Sequence, residues 1–328
     1  SSDARTVTVT QPDTNVTVAS NTDAVTFDVG AQNYTGTITG EATVSDTLSL
    51  DTGADVSDSA ITNVDALTLA SGASVRMTAQ QNQNFTGAII APGIGINGET
   101  ITINGNGGVT TLAHIENYSI EDDSTNVRAV TIIQTNTNVT ATSNTDAVTF
   151  DVGTQTYTGT ITGDSTVDDT LILDNGADVS GGAIAHVGAL ALSSGASVRM
   201  TAQQNQNFTG AVTADGTGIN GETITITGDG TVTTLANVEN YIIEDDSTDI
   251  RTVMINSANT HVTANSVTDA VTFYLGALTF TGTIIGEATV DDALNLLSLG
   301  TGADVSGGVI ENVEALTLSS GASVHLSA

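Results

Sequence analysis

The chain has 328 residues, with 37 Asp and Glu against five Arg and no Lys, for a formal charge of −32. So acidic a surface repels nucleic acid phosphates and anionic lipid heads, and no stretch reaches the roughly 18 apolar residues of a membrane helix, so neither nucleic acid binding nor membrane insertion is expected. The absence of Cys excludes thiol catalysis, Cys-bound zinc and disulfides, and the absence of Lys excludes Lys–Asn isopeptide cross-links.

Charged residues make up only 13% of the chain and apolar residues 39%. The apolar residues alternate regularly, so the chain can bury a core of Val, Ile, Leu and Ala instead of remaining disordered. In chain order the alternating runs are Thr6–Thr10, Ala24–Phe27, Thr35–Thr39, Thr47–Leu50, Ala66–Leu69, Ser74–Met77, Glu99–Ile103 and Val109–Leu112. Each has a period of two and is rich in β-branched residues, the mark of a half-buried strand. Gly, Asn, Asp and Ser punctuate the gaps, as at Asp51-Thr52-Gly53 and Asn104-Gly105-Asn106-Gly107-Gly108. No helix pattern stands out.

The chain repeats itself every 123 residues: Asn21–Phe27 returns as Asn144–Phe150, and Val267–Phe273 follows the same pattern. Residues 1–20 correspond to the end of a preceding copy, 21–143 and 144–266 are full copies, and 267–328 form a shortened third, as expected of a piece of a longer array. Two all-β architectures fit. The first is a parallel β-solenoid (β-helix) of about 20–25 residues per turn, some five turns per copy. The alternative is tandem β-sandwich domains of immunoglobulin-like size. Short strands, small side chains and Gly/Asn-rich turns favour the solenoid. The aromatic residues recur in step, as Phe27/Phe150/Phe273, Tyr34/Tyr157/Phe280, Phe85/Phe208 and Tyr118/Tyr241, and are expected to fill one hole per copy. Only Tyr274 has no counterpart.

Histidines 114, 186, 261 and 325 do not recur, so a catalytic base in every copy is excluded. The arginines occupy two repeat positions, Arg5/Arg128/Arg251 and Arg76/Arg199; the first set follows acidic runs such as Glu121-Asp122-Asp123 and is expected to form solvated ion pairs. The candidate metal ligands are recurring acids in and near Gly-bearing turns: Asp46, Asp51 and Asp55; Asp168, Asp169, Asp174 and Asp178; Asp291, Asp292 and Asp304. Calcium takes six to eight oxygens from carboxylates, carbonyls and water, which such turns supply, so calcium is the expected cofactor. The longest identical block, Ser71–Ala88 and Ser194–Ala211, contains Gln80, Gln81, Asn82, Gln83 and Asn84, repeated as Gln203, Gln204, Asn205, Gln206 and Asn207. These amides can form ladders along a solenoid, or a contact for a neighbouring copy or a surface glycan. Asn15, Asn84, Asn117 and Asn207 also begin glycosylation acceptor triplets.

The segment Ile61–Leu69 with Ser71–Val75, echoed at Ile310–Leu318, resembles segments of bacterial S-layer and adhesin-type β-repeat surface proteins, which are Thr/Ala/Gly-rich, Lys-poor and Cys-free. The resemblance implies secretion, calcium-dependent assembly and a place on the cell surface. The expected function is a non-enzymatic structural segment of an extracellular surface layer or filament, with copies of itself as partners. The alternatives are the stalk of a calcium-dependent adhesin, an ice-binding solenoid presenting Thr-x-Thr ladders, and a polysaccharide-acting β-helix enzyme.

Overall fold

The computed structural model describes residues 5–19, 22–93, 98–121, 128–142, 146–214, 221–244, 251–265, 271–287, 296–320 and 325. Contacts divide the chain into two compact units, Ser1–Asp151 with Gly159–Asp169, and Val152–Thr158 with Thr170–Ala328. Each is a parallel β-solenoid, and helix accounts for only 4% of the chain.

In the first unit one sheet orders Arg5–Thr8, Val25–Gly30, Thr47–Leu50, Ala66–Leu69 and Ile89–Ile90, every pair parallel. A second joins Val16–Thr17, Thr37–Thr39 and Ala60–Thr62. A third runs through Ser74–Thr78, Thr100–Asn104, Asn117–Ile120, Asn138–Ala141 and Thr160–Thr162. A fourth begins at Val109–Thr110 and continues through Arg128–Thr131 to Val148–Gly153. The second unit repeats the scheme, with sheets through Thr170–Leu173, Ala189–Leu192 and Val212–Ala214; Ser197–Thr201 to Val309–Glu311; and Thr231–Thr233 to Ala315–Leu318. A sandwich would pair antiparallel strands close in sequence. Here each described strand skips its neighbour in the chain and pairs in parallel with one a full turn away, which decides for the solenoid.

Strands form where a period of two sends alternate residues inward. In Val25–Gly30 the side chains of Val25, Phe27 and Val29 are buried while Thr26 and Asp28 are half-exposed. Phe27 stacks over Leu48 and Leu48 over Leu67, so each turn lays an apolar residue on the one below. All four recurring aromatic positions are buried in every described copy.

A copy is six turns, so the expected five is one too few. In the first unit Phe27 faces Leu48, Leu48 faces Leu67 and Leu67 faces Ile89, and further on Val109 faces Val130 and Val130 faces Phe150, the counterpart of Phe27 one copy on. The step from Ile89 to Val109, where one ladder stops and the next begins, is the remaining turn. The order of strands is kept across that break: Arg5–Thr8 and Val25–Gly30 are neighbours in the first sheet, and their counterparts Arg128–Thr131 and Val148–Gly153 are neighbours in the fourth.

Two short helices also depart from the sequence expectation, α1 (Ala79–Asn84) and α2 (Ala202–Asn207). Each begins with a capping box, in which Thr78 or Thr201 accepts from the backbone N–H of Gln81 or Gln204, whose side chain accepts the cap residue's N–H in return. The Thr-x-x-Gln spacing signals this start, but no apolar periodicity follows it, and six residues are too few to show one.

Truncating Phe150, which is fully buried, is expected to cost about 3–5 kcal/mol. Urea unfolding followed by circular dichroism should show a clear fall in midpoint for Phe150→Ala, and almost none for Thr149→Ala on the outer face of the same strand.

Candidate functional site

The recurring polar residues are positioned by the turns that link one sheet to the next. Asp46 sits just before Thr47–Leu50 and is completely buried. One carboxylate oxygen accepts the Val25 N–H at 2.7 Å and the other the Glu41 N–H at 2.7 Å. Asp169 does the same with the N–H groups of Val148 and Asp164, each at 2.6 Å. Burial pushes the Asp169 carboxyl above its ordinary range, against the lowering effect of these donors. The carboxylate ties a strand to the turn above it, replacing ladder bonds that the backbone cannot make there.

The second acid of each turn is engaged locally. Asp55, Asp178 and Asp304 accept from the N–H and hydroxyl of Ser57, Ser180 and Ser306, at 2.6 to 3.0 Å. Asp304 is held below the usual carboxylate range, first by the Ser306 hydroxyl. Asp51 and Asp168 are exposed, and Asp174 accepts the Ser193 hydroxyl. Asp291 and Asp292 lie outside the described residues. Among the described residues no three acids or histidines gather as metal ligands would. Asp46 and Asp169 fit calcium poorly, since both oxygens of each already face N–H donors.

The arginines divide differently from the sequence expectation. The exposed pairs belong to Arg76, which reaches Asp55 at 3.7 Å and also Glu121, and to Arg199, which reaches Asp178 at 3.8 Å and also Glu244. Arg5 is 58% exposed and pairs at 3.3 Å with Asp23, whose carboxylate is buried, so this pair is only half solvated. Its counterparts Arg128 and Arg251 are instead buried, contrary to the solvated pair. Arg251 donates to the backbone carbonyls of Glu244, at 3.1 Å, and Gly228. A guanidinium carries five donors in a planar fork, so it can close several carbonyls at once where the chain changes sheet.

The amide block forms no ladder along the stack. It is the helix that stands between the end of one sheet and the start of another. Asn84 donates to the Ile61 carbonyl at 3.5 Å, at the edge of Ala60–Thr62. Asn82 and Gln83 donate to the carbonyls of Thr110 and Gly108, at 2.8 and 2.7 Å, where the fourth sheet begins. Gln81 closes the carbonyls of Val56 and Ser59, at 2.6 and 3.0 Å, while Gln80 is exposed and bonds only Asn84 within the helix. In the second copy Asn207 reaches Ile184, Asn205 reaches Thr233, Gln206 reaches Thr231 and Gln204 reaches Val179 and Gly182, with Gln203 outside on Asn207. Buried Asn82 also accepts from the Tyr118 hydroxyl at 3.3 Å, and that hydroxyl accepts the Leu112 N–H at 2.7 Å. The acceptor Asn117 is likewise engaged, taking the Asn138 amide at 3.0 Å.

Two histidines have a backbone explanation. His114 and His186 adopt left-handed φ of 65° and 55°, as do their counterparts Asn237 and Asn63, at 64° and 54°. Asn and His tolerate this region better than most residues.

Sequence reasoning missed one constellation, the glutamate pair Glu99/Glu116 and its copy Glu222/Glu239. Glu99 and Glu222 are fully buried. Glu99 accepts the N–H groups of Gly93, at 2.7 Å, and Gly72, at 3.2 Å, while its own N–H donates to Glu116 at 3.3 Å. Gly98 and Gly221 let the second carboxylate lie close, since a Cβ there would come within 2.5 Å of the Glu116 or Glu239 carboxylate and displace it. Burial, and then the hydrogen bond with the partner carboxyl, raise Glu116 and Glu239. The signal was present as Gly-Glu-Thr followed one short turn later by a second recurring Glu.

No known family model matches the sequence, and neither a curated protein nor a solved structure matches it.

A carboxyl raised by folding stabilises the folded state below its unfolded pKa and loses that contribution as pH rises through the folded value. Thermal melts from about pH 4 to about pH 8, spanning the ordinary Glu range and above, should show the Glu116→Gln/Glu239→Gln double variant losing less stability with rising pH than the parent. Identical slopes would remove the paired glutamates from the pH response.

Proposed function

We propose that this chain is a non-enzymatic structural segment of an extracellular bacterial surface layer or filament, with further copies of itself as partners. The observation that carries the reading is where the recurring polar groups point. In both copies Asp46 or Asp169, and Gln81, Asn82 and Asn84 or their counterparts, spend their hydrogen bonds on the backbone of neighbouring turns. Side chains kept for closing sheets serve the stack itself. Acid–base catalysis would instead turn two carboxylates towards a shared cleft.

The setting follows from composition and resemblance. A chain without Cys or Lys needs no redox environment and offers no amine to cross-link, and a charge of −32 keeps a repeat protein soluble until lateral contacts form. In this reading Asp46, Asp169, Asp55, Asp178 and Asp304 hold no ion, because N–H and hydroxyl donors already engage their carboxylates.

Two measurements test the proposal. Concentrated protein viewed by negative-stain electron microscopy should form ordered sheets or filaments; a chain that stays monomeric in sedimentation at every salt concentration overturns the assembly reading. Calorimetry with a chelator should leave the melting temperature within about 2 °C of its value in calcium, whereas loss of a bound structural ion worth several kcal/mol would lower it by far more.

A further inference from the structure

At one spot on its wall the third copy turns apolar. Asp28 and Asp151 are replaced by Tyr274, and Gln32 and Gln155 by Leu278. In the first copy Gln32 lies across the end of its turn and donates to the carbonyls of Val9 and Val29, the latter at 2.8 Å. Gln155 donates to the Val152 carbonyl at 3.0 Å. Leu278 has no amide to give. The carbonyl of Ile255, which stands where the Val9 carbonyl stands in the first copy, has lost that donor.

What the amide covered is now open. Ile255, Asn256, Tyr274, Gly276 and Leu278 line a groove of about 330 Å³. Tyr274 is 38% exposed, while the other four tyrosines, 34, 118, 157 and 241, are buried. Its ring lies beside Gly276, where an added Cβ would sit 3.8 Å from the ring edge.

We propose that this groove binds a neutral sugar ring of a glycan, stacked on Tyr274 with a hydroxyl donating to the Ile255 carbonyl. An amphipathic pyranose matches the pairing of an aromatic face with an unshared acceptor. The groove lies at the small end of ligand sites, which begin near 300 Å³. A cationic ligand is disfavoured by the substitution itself, since the third copy removes a carboxylate from this spot in a chain of charge −32. The site belongs to the second unit alone and does not depend on how copies assemble.

Saturation-transfer NMR on the whole chain tests it, with four neutral hexaoses as probes: α-1,4-glucan, β-1,4-glucan, β-1,3-glucan and β-1,4-linked N-acetylglucosamine. At least one should receive saturation at millimolar concentration. Tyr274→Asp and Leu278→Gln restore the residues of the first two copies, which fold with them, and each should weaken binding at least tenfold. No transfer to any probe, or binding unchanged in Tyr274→Asp, overturns the proposal. So would a Tyr274→Asp variant that loses self-association without any glycan signal, which would give the groove to a second copy.

Discussion

Each strand takes its hydrogen bonds from a strand one turn away, so every turn must bring the chain back to the same place one strand spacing, about 4.8 Å, along the stack. The spacing along the sheets is not uniform. Arg5 faces Val25, Thr26 faces Thr47 and Thr47 faces Ala66, while the step from Arg76 to Thr102 is longer and that from Thr102 to Ser119 shorter. Short strands tolerate such variation only if something else satisfies the backbone where extended residues run out. That role falls to buried Asp46 and Asp169, to Gln32 across the end of its turn, and to the capped helices. Small aliphatic side chains follow from the same constraint, because successive turns place Phe27, Leu48 and Leu67 directly over one another in a narrow interior.

The helices follow from a break that the two described full copies share. In each, one sheet stops and another starts, and the helix fills that step, its amides meeting the open carbonyls on both sides. Gln and Asn suit the position because each offers two donors and one acceptor without the cost of a buried charge.

Charge is handled unevenly for a chain so acidic. Exposed carboxylates pair with Arg76 and Arg199 or simply face water, and such pairs contribute little. The costly groups are inside: Asp46, Asp169, the Glu99/Glu116 pair with its copy, and Arg128 and Arg251. Buried carboxylates are tolerated where backbone N–H groups point at them, and the paired glutamates where two carboxyls share a hydrogen bond. The formal charge of −32 thus overstates what the folded surface carries at acidic pH.

Much of the architecture was legible in the order of residues. Alternation over three to six positions set the strands, because a strand buries one face whatever its partner. The 123-residue recurrence set the copies and identified the aromatic residues as core, since a ring repeated in step fills a repeated space. The parallel solenoid and its turn of about 20–25 residues were expected from the short strands and Gly/Asn-rich turns, but which residue faces which across a turn was not legible, because it joins residues about twenty positions apart and the one-copy period does not fix the register. For that reason the count of six turns per copy, the helices at the break between sheets, the buried fate of Arg128 and Arg251 and the glutamate pair emerged only with the fold. The acids show the division most plainly: their spacing marked Asp46, Asp51 and Asp55 as one group of oxygens, while folding directed two of Asp46's bonds to separate turns and left Asp51 in solvent. Sequence fixes which groups are available, and only the tertiary path decides which donors come within 3 Å of them.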